Sequence, residues 1–552
     1  MIKMKKYILP ILIFLLIFPV SGWATTYYAA DDGSGTDCTI GSPCTLLYTV
    51  ETKAGAGDTV YINNGTYALP EVIDVPDDVD IEGESEAGVI VTYDGMAGSG
   101  AMFSFQTGST AATISNMTLD ANDAAYRGIL VRNRGNVTIH DVTINDGFVY
   151  GGILIEGTTR DTEACNGTYE TGIEVYNITS NSASTGTYGA IGIGGTIGAL
   201  LHDLDLTETD DAQTGIKFGG DWGCNKGLKI YDSTITAGSS DNGAADTGSF
   251  TIELWNTTDD SEIYGNTLNG EMNFDRASKG AGTYAVKIHD NLFTFTGQDT
   301  TGTAGISMDD DISYLQIYNN KFQYLSCGVS LYIGASDTDV MQYINIFNNV
   351  FWSVYDGDTS SRPIHAQDPE ANGSTIQYFN VYGNIFYLHS TWNDYLLNFE
   401  NIDNLNNINI KNNIIVNAET AVGKCSGGTG TKSTMNWEYN YYDNNGSNSF
   451  DNTCTMSSLT EANNISTLGA PMFTNTGTGD LTLKPGSPAR HGATYIAGYT
   501  TALDPSATFG VGYNGLTMED ILSIGAYGVY RGSAFAMLIE EAEIYEELGK
   551  LI

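Results

Sequence analysis

The sequence predicts an all-β fold, a right-handed parallel β-helix (solenoid) of about a dozen coils with an N-terminal cap and a short C-terminal helix. One apolar alternation that ends in an asparagine pair recurs along the chain, for example as LQIYNNKF from Leu315 and INIFNNVF from Ile344. A second alternating segment lies between successive copies, such as GIKFGG from Gly215. Two or three short strands per repeat, joined by loops of variable length, are typical of this solenoid.

The first 24 residues have the features of a secretory signal peptide. Three lysines precede the apolar run 7–20, which closes on small residues just before Thr25. The run is short for a membrane span, and no second apolar stretch of spanning length follows. The sequence therefore predicts export to a secreted or cell-surface location, with no membrane span after cleavage.

The rest of the chain divides into a cap, a solenoid and a closing helix. Residues 25–67 are expected to form the N-terminal cap and first coil, and residues 68–530 the parallel β-helix. Residues 531–552 are expected to form a helical cap, because Ser533–Lys550 has a helical pattern with an apolar face. An open β-helix end would expose strand edges, so this helix is expected to cover the last coil; docking to a partner is the alternative.

Charge limits the classes of partner. The chain has 66 acidic and 23 basic residues, a formal net charge of −43. Such a surface repels phosphate backbones and anionic lipid, which predicts no nucleic-acid partner. It also opposes a polyanionic polysaccharide unless calcium or a local basic patch intervenes.

The seven cysteines fit an oxidising compartment. Six of them lie in pairs within one loop or on loops of nearby coils, although six cysteines allow fifteen connectivities. The seventh, Cys327, is expected to be a buried free thiol rather than a nucleophile. The three expected disulfides are Cys38–Cys44, Cys165–Cys224 and Cys425–Cys454.

The asparagine pair of the repeated phrase predicts a sharp bend in every coil. Asparagine tolerates left-handed backbone angles and hydrogen-bonds its own turn. The first residue of each pair sets a register with spacings of 25 to 36 residues. These register residues are Asn116, Asp141, Asn177, Asp203, Asp232, Gly265, Asp290, Asn319, Asn348, Gly383, Asn412 and Tyr439.

The residue after the register position is expected to form a ladder of stacked amides. Coils stack about 4.8 Å apart, so side-chain amides at one position can hydrogen-bond from coil to coil and satisfy the buried turn. The repeated phrase is therefore interpreted as scaffold. The expected ladder residues are Asn291, Asn320, Asn349, Asn384, Asn413 and Asn440.

Three terminal segments of the solenoid region resemble those of a known group. Ser42–Tyr67 is similar to the capping helix and first strand of the secreted right-handed parallel β-helix proteins of the pectin-lyase-like superfamily. Ala470–Ala493 and Ser523–Tyr530 are similar to its closing segment, so the resemblance covers about residues 25–530. It implies a polysaccharide lyase, a glycoside hydrolase or a surface protein. The paired-Asp, Gly-His-Gly and Arg-Ile-Lys motifs of polygalacturonases do not occur together here, and no arginine-based lyase motif is evident.

Function is therefore sought among the residues that face outward in the second strand of each coil. Aligning the inward apolar residues leaves two outward rows. The first outer row reads Lys217, Glu253, Asn273, Ser307, Ser330, His365 and Asn398. The second outer row reads Arg132, Glu156, Gly194, Gly219, Trp255, Asp275, Asp309, Tyr332, Gln367 and Glu400.

The middle coils of these rows concentrate carboxylates. Asp275 and Asp309 are expected one coil apart, about 5 Å, which is close to the separation in retaining glycosidases. Crowding of the two acids would raise the pKa of one and make it a proton donor. Asp310, at the adjoining turn, is a further catalytic candidate. Glu253, Asp275 and Asp309 could equally hold calcium, and solvated acidic surface is the plainest alternative.

Other residues around this acidic face are candidates for substrate contact. Trp255 offers a sugar ring an apolar face, and Tyr332 lies on the other side of the acids. Arg276 and Lys217 supply positive charge. The long loop Ser353–Ser374 contributes two more residues, Arg362 for substrate contact and His365 for acid/base work.

A third outward row belongs to the repeated phrase and is aromatic. Metal binding is a poor interpretation, because its histidines are two or three coils apart. A structural ladder of stacked rings is favoured over a glycan-binding strip. This aromatic row comprises His140, Tyr176, His202, Tyr231, Tyr264, His289, Tyr318, Phe347 and Tyr382.

Taken together, these features predict an exported β-helix protein that binds or cleaves extracellular polysaccharide on a central acidic, aromatic-flanked face. The alternative is a non-catalytic structural or adhesive cell-surface protein.

Overall fold

The computed structural model describes most of the chain between residues 24 and 483. The leader, the closing segments similar to the pectin-lyase-like group and the C-terminal helix fall wholly or largely outside these residues and stay predictions. No helix within the described part is both long and apolar enough to cross a membrane. The described residues are 24–483 without 96–99, 107, 123–124, 146, 158–168, 182–188, 209–213, 219–223, 238–249, 259, 276–285, 296–303, 310, 334–338, 355–361, 370–372, 389–394, 419–421, 444–449, 467–472 and 477–479.

Strands dominate the described residues, with one short helical segment after the first strand. That segment is α1 (Leu46–Tyr48), which continues as a π-helical turn at Thr49–Lys53. The strands are β1 Thr26–Ala29, β2 Asp58–Ile62, β3 Gly65–Leu69, β4 Ile73–Asp74, β5 Val79–Gly83, β6 Val89–Tyr93, β7 Ala101–Phe105, β8 Ala112–Asp120, β9 Arg127–Arg132, β10 Val137–Asn145, β11 Gly151–Glu156, β12 Glu170–Thr171, β13 Ile173–Asn181, β14 Ile191–Gly194, β15 Thr196–Ile197, β16 Leu200–Thr207, β17 Ile216–Lys217, β18 Asn225–Lys226, β19 Lys229–Tyr231, β20 Thr234–Thr236, β21 Phe250–Trp255, β22 Thr257–Thr258, β23 Ser261–Tyr264, β24 Thr267–Asn269, β25 Glu271–Asp275, β26 Val286–His289, β27 Leu292–Thr294, β28 Ala304–Asp309, β29 Leu315–Tyr318, β30 Lys321–Gln323, β31 Cys327–Tyr332, β32 Val340–Phe347, β33 Val350–Val354, β34 Ile364–Gln367, β35 Thr375–Tyr382, β36 Ile385–Leu388, β37 Leu397–Glu400, β38 Asn404–Lys411, β39 Ile414–Val416, β40 Gly423–Ser426, β41 Thr434–Glu438, β42 Tyr441–Asp443, β43 Phe450–Asn452, β44 Ser458–Ala462, β45 Ile465–Ser466, β46 Phe473–Asn475 and β47 Asp480–Leu483.

The strands stack as a parallel β-helix, as the sequence predicts. A 27-stranded sheet folds over a bend into two faces, and a separate 14-stranded sheet forms a third. In one coil the chain runs along β29 on face 1, turns through Asn319 and Asn320 into β30 on face 2, and continues as β31 on face 3. It then returns to face 1 as β32, which pairs in parallel with β29. Face 3 contains β4, β7, β9, β11, β14, β17, β21, β25, β28, β31, β34, β37, β40 and β43.

Apolar residues at alternate strand positions fill the cylinder. Leu315, Ile317 and Phe322 are buried, as predicted, within one core that extends from Ala29 to Met456. Phenylalanines also stack inside from coil to coil, as Phe293 and Phe322 do with ring centroids 4.7 Å apart. Because strand side chains alternate between the two sides of a sheet, this inward set leaves the neighbouring positions pointing away from the core.

The bend between faces 1 and 2 has the predicted left-handed backbone. Every register residue from Asn116 to Tyr439 has a positive φ, and the glycines among them occupy the same region. The amide ladder is also confirmed: Asn349 Nδ2 donates to Asn384 Oδ1 at 3.0 Å and to Ile317 O at 2.9 Å. The ladder is longer than predicted, because Asn266 precedes it and Asn464 extends it.

Two of the three predicted disulfides are present. Cys38 bonds Cys44, and Cys425 bonds Cys454. Cys165 lies outside the described residues, so its pairing with Cys224 stays a prediction. Cys327 is a buried free thiol as expected, and burial raises its pKa to about 12.

The aromatic row stacks as predicted. His140, Tyr176 and His202 lie nearly parallel with centroids 4.8 and 5.1 Å apart, and the stack continues to Phe347. His140 Nδ1 also lies 2.6 Å from Asp141 Oδ2, and the same contact recurs at the other two histidines of the row. These regular contacts favour the structural interpretation of the row.

The last described strands cover part of face 2. β46 and β47 pair antiparallel, and Phe473 and Leu481 join a second apolar cluster with Val350 and Trp352 of β33. Trp352 Nε1 donates a hydrogen bond to Thr476 O at 3.1 Å. Face 2 is therefore partly covered by the chain itself, while faces 1 and 3 remain to be considered as functional surfaces.

Candidate functional site

The two outer rows predicted for the second strand lie side by side on face 3. Parallel pairing places Glu253 beside Asn273, and Trp255 beside Asp275. The same register joins Asp275 to Asp309 on the next coil, and Ser330 to His365 further along. Gly219, Arg276 and Asp310 lie outside the described residues, and for Asp275 only the backbone is described.

Most of the first outer row is buried, which corrects the expectation that it is exposed surface; Lys217 and Ser330 are half-buried. Glu253 is 6% exposed and His365 7%, although both point away from the core. Asn398 is 1% exposed. Lys217 contacts Glu253 and Asn273 contacts Ser307, so these side chains cover one another within local groups. A buried polar group is costly unless it is hydrogen-bonded, so their partners determine what the row can do.

The first group in the rows is an ion pair with a tryptophan. Lys217 Nζ lies 2.7 Å from Glu253 Oε2, and Trp255 Nε1 donates to Glu253 Oε1 at 2.9 Å. Trp255 is half-buried and packs against the core. The carboxylate of Glu253 therefore already has a cationic partner and an indole donor, and Lys217 neutralises the charge that a calcium ion would need there.

The second group contains the paired aspartates. Asn273 Nδ2 donates to Ser307 Oγ at 3.0 Å and to Asp309 Oδ2 at 2.9 Å. A hydrogen bond to a carboxylate favours its ionised form. Asp275 is the strand partner of Asp309, so their backbones are about one strand spacing, ~4.8 Å, apart. This register is the one that the sequence predicts.

The third group surrounds His365. Arg362 Nη1 lies 3.0 Å from His365 Nε2, and Glu400 Oε2 lies 3.6 Å from the same nitrogen. A guanidinium can only donate, so a hydrogen bond from Arg362 requires an unprotonated Nε2, whereas an ion pair with Glu400 requires a protonated one. Arg362 is itself buried. The roles predicted from the sequence, substrate contact for Arg362 and acid/base work for His365, stay predictions.

Glu400 was a row member without an assigned role in the sequence, and the structure connects it to this group. Asn398 Nδ2 donates to Glu400 Oε2 at 3.2 Å, and Arg362 lies 3.7 Å from the same oxygen. The contact with His365, and then the charges of Arg362 and Lys424, hold the pKa of Glu400 below its ordinary value against the opposing effect of burial. The signal in the sequence was its position in the second outer row, four coils after Asp275.

Asn398, in this third group, has a side-chain atom with no hydrogen-bond partner in the protein. The side-chain oxygen of Asn398 is buried without a hydrogen bond, although its amide nitrogen is used. A buried carbonyl oxygen of this kind can accept a hydrogen bond from a bound hydroxyl group.

Tyr332, another predicted substrate contact, is located by its strand pairing. It pairs with Asp309 and Gln367 in the second outer row, so it lies one coil from Asp309. Within the described part of the chain, no three histidine, cysteine or acidic side chains gather in a way that could hold a metal ion. Calcium binding by Glu253, Asp275 and Asp309 stays a prediction.

Comparisons with known proteins show similarity of fold and assign no role to any residue of this chain. No family model matches the chain, and no curated protein sequence matches it. Alginate lyase from Paenibacillus sp. str. FPU-7 is 12% identical, with 69% of this chain and 98% of that chain covered and a TM-score of 0.29. The Azotobacter vinelandii mannuronan C-5 epimerase AlgE6 A-module is 11% identical, with 75% and 92% covered and a TM-score of 0.31. The tailspike protein of E. coli bacteriophage HK620, in complex with pentasaccharide, is 11% identical, with 75% and 73% covered and a TM-score of 0.38.

Proposed function

We propose that this protein is exported and that it binds and cleaves an extracellular polysaccharide along face 3. The observation that carries the proposal is the register of Asp275 with Asp309, one strand apart in the middle of the outer rows. We infer from this backbone register that the two carboxyl groups lie about as far apart as those of retaining glycosidases. The neighbouring coils supply hydrogen-bonding groups on both sides, so a polymer along the axis would meet several of them.

The surroundings of the two aspartates suggest which one is the nucleophile and which one is the proton donor. Asp309 accepts a hydrogen bond from Asn273, which favours its carboxylate form and suits a nucleophile. Asp275 would then be the proton donor, since two adjacent carboxylates do not both ionise easily. Trp255, on the preceding strand, would border the sugar beside Asp275.

The direct test measures new reducing ends on a panel of polysaccharides. Asp275→Asn and Asp309→Asn are each expected to lower turnover by about 10²–10⁴-fold, because each removes one partner of the acid–base pair. Thermal stability should change little. Asp451→Asn is the matched control, because Asp451 is an acid in the last strand of the same face and lies far along the axis from the pair. Full activity of both pair variants would contradict the proposed roles.

A lyase reaction is the second candidate, because His365 is grouped with Arg362 on face 3. Nε2 of His365 would accept a proton from substrate once Arg362 Nη1 moves its hydrogen bond from that nitrogen to a substrate oxygen. A lyase leaves an unsaturated product, which absorbs ultraviolet light, whereas a hydrolase does not. If unsaturated products appear and His365→Ala abolishes them while Asp309→Asn does not, the residues around His365 carry out the cleavage.

Calcium binding is proposed with the same acids and has its own test. If Asp275 and Asp309 hold calcium, the thermal unfolding temperature should rise when calcium is added, and the two Asn variants should lose that rise. Variants that behave as wild type in the cleavage and calcium assays would leave a non-catalytic structural or adhesive protein as the better description.

A further inference from the structure

Face 1 has a region without charge in an otherwise strongly acidic protein. Strands β29, β32 and β35 contain no acidic or basic residue. In the three preceding coils the same face is charged, with Lys229 Nζ and Lys287 Nζ at 3.0 and 3.3 Å from Glu262. We define the neutral strip as Tyr314, Tyr343, Tyr378, Gln342, Gln377 and Asn380.

The tyrosines of the neutral strip form a regular ladder that is half-buried at Tyr314 and Tyr343 and exposed at Tyr378. The ring of Tyr343 lies parallel to those of Tyr314 and Tyr378, with centroids 4.7 and 4.6 Å apart. Tyr378 is 39% exposed, one of the few exposed large hydrophobic residues among those described. Because the ring faces cover one another, the ladder presents ring edges and phenol hydroxyls one strand spacing apart.

The backbone at these tyrosines indicates that the turn does not require them. Tyr314, Tyr343 and Tyr378 have φ of 60°, 55° and 53°. The same position in other coils holds Gly227, Asp260 or Asn407, all with positive φ. Glycine, asparagine and aspartate suit this conformation, whereas a bulky side chain there is an outlier. Such outliers concentrate at functional sites.

Amide side chains run beside the tyrosines at the same spacing. Gln377 Nε2 donates to Gln342 Oε1 at 2.8 Å, and Asn409 Nδ2 donates to Asn380 Oδ1 at 2.9 Å. Each amide has two N–H donors and an oxygen with two lone pairs, and the contact between Gln342 and Gln377 uses one donor of Gln377. Asn380 is fully bonded within the protein. The neutral strip therefore has a phenol in three successive coils and a glutamine amide in two of them, those of Tyr343 and Tyr378.

We propose that the neutral strip is a second polysaccharide-binding site, distinct from face 3, for an uncharged and extended β-linked chain that lies along the solenoid axis. The strand spacing of about 4.8 Å is close to the length of one hexose in such a chain, so successive sugars meet successive phenols, two of which have a glutamine amide beside them. The net charge of −43 opposes a polyanionic chain and also a second copy of this protein. An uncharged glycan pays no such electrostatic cost.

The test replaces two tyrosines of the neutral strip by asparagine, which adopts positive φ more readily. Tyr343→Asn/Tyr378→Asn removes the phenols and keeps a residue suited to positive φ, as Asn407 shows. Binding of cellohexaose and mannohexaose is measured by calorimetry, with polygalacturonate as the anionic probe. We expect wild type to bind a neutral hexasaccharide and the double variant to bind it at least tenfold more weakly, with an unfolding temperature equal or higher.

Two controls separate this site from face 3 and from general effects of charge. Lys229→Gln/Glu262→Gln alters the charged part of face 1 and should leave hexasaccharide binding unchanged. In the Asp275→Asn/Asp309→Asn background, cleavage should be lost while the neutral strip still binds, so failure at one site is distinguishable from failure at the other.

Several outcomes would overturn the proposal. These are absence of hexasaccharide binding by wild type, unchanged binding by Tyr343→Asn/Tyr378→Asn, or preferential strip-dependent binding of polygalacturonate. A wild-type oligomer that the double variant dissociates, measured by sedimentation velocity, would instead make this surface an interface between copies of the chain.

Discussion

The bend between faces 1 and 2 keeps the same length from coil to coil, whereas the connections that lead into face 3 vary in length. At the bend, two residues separate the strands in each coil from β19 onwards, and from Asn266 to Asn464 the second of them is asparagine. Into face 3 the connection varies, from Gly270 alone between β24 and β25 to residues 237–249 between β20 and β21. The amide ladder works only if each rung aligns with the next, whereas face 3 keeps its strand pairing with connections of any length.

The outer rows reflect the same difference. Along the bend each asparagine makes the same bonds, so the repeated residue serves the scaffold. Along face 3 successive outward residues differ in chemistry, as Glu253, Asn273, Ser307 and His365 do, and they form local groups instead of a continuous ladder. A position in a solenoid that departs from repetition while remaining buried is therefore the better candidate for function.

The largest expected effect comes from removing one rung of the ladder. Asn349→Ala should lower the free energy of unfolding by about 3 kcal/mol, because it leaves buried groups of Asn320, Ile317 and Asn384 without their partner. Urea unfolding measures the change. Asn436→Ala is the control in an outer, less buried amide row and should cost less than about 1 kcal/mol. Equal costs would contradict the special role of the bend.

The next effect tests whether groups on face 3 act as local units. Lys217→Met should cost about 2 kcal/mol of unfolding free energy, because it leaves the buried carboxylate of Glu253 without its cation; partial exposure of Lys217 reduces the loss. The double variant Lys217→Met/Glu253→Gln should recover most of it. Equilibrium unfolding of the two single variants and the double variant gives the coupling energy, and additive losses would exclude a coupled pair.

A smaller effect is expected from pH. The folded pKa of Glu400 is below its ordinary value of 4.5, so its stabilising contribution is complete above that pH and is lost as the pH falls through the folded pKa. Glu400→Gln should flatten the decrease in unfolding temperature below pH 4.5. Glu262→Gln on face 1 should also flatten it, since its lysine partners outweigh burial and lower its pKa, but it should leave polysaccharide cleavage unchanged. An unaltered pH profile in Glu400→Gln would show that its contacts do not stabilise the fold.

The smallest effect concerns the backbone of the bend. Asn319 has a φ of 55°, and its side-chain oxygen has no hydrogen-bond partner. Asn319→Ala should cost about 1 kcal/mol, because alanine is disfavoured in the left-handed region. Asn319→Gly should recover that loss, since glycine adopts positive φ without steric cost. Thermal unfolding of both variants makes the comparison, and equal stability would mean that the side chain and not the backbone matters.

The sequence by itself determined the coil, its bend and the order of outward residues on face 3. These features depend on the two-residue period of strands and on the local preference of asparagine and glycine for positive φ, which act within a few residues. For this reason the register from Asn116 to Tyr439 and the pairing of Asp275 with Asp309 could be predicted without coordinates.

Only the tertiary structure decided which outward residues are buried and which of them touch. Lys217 and Glu253 are 36 residues apart, and His365 meets Glu400 from the next coil, so their contacts depend on how side chains of adjacent coils pack. Burial of Asn398 and exposure of Tyr378 likewise depend on what neighbouring coils cover. Strand alternation fixes the side of the sheet on which a residue lies, whereas solvent access and partner choice depend on segments that are distant in the chain.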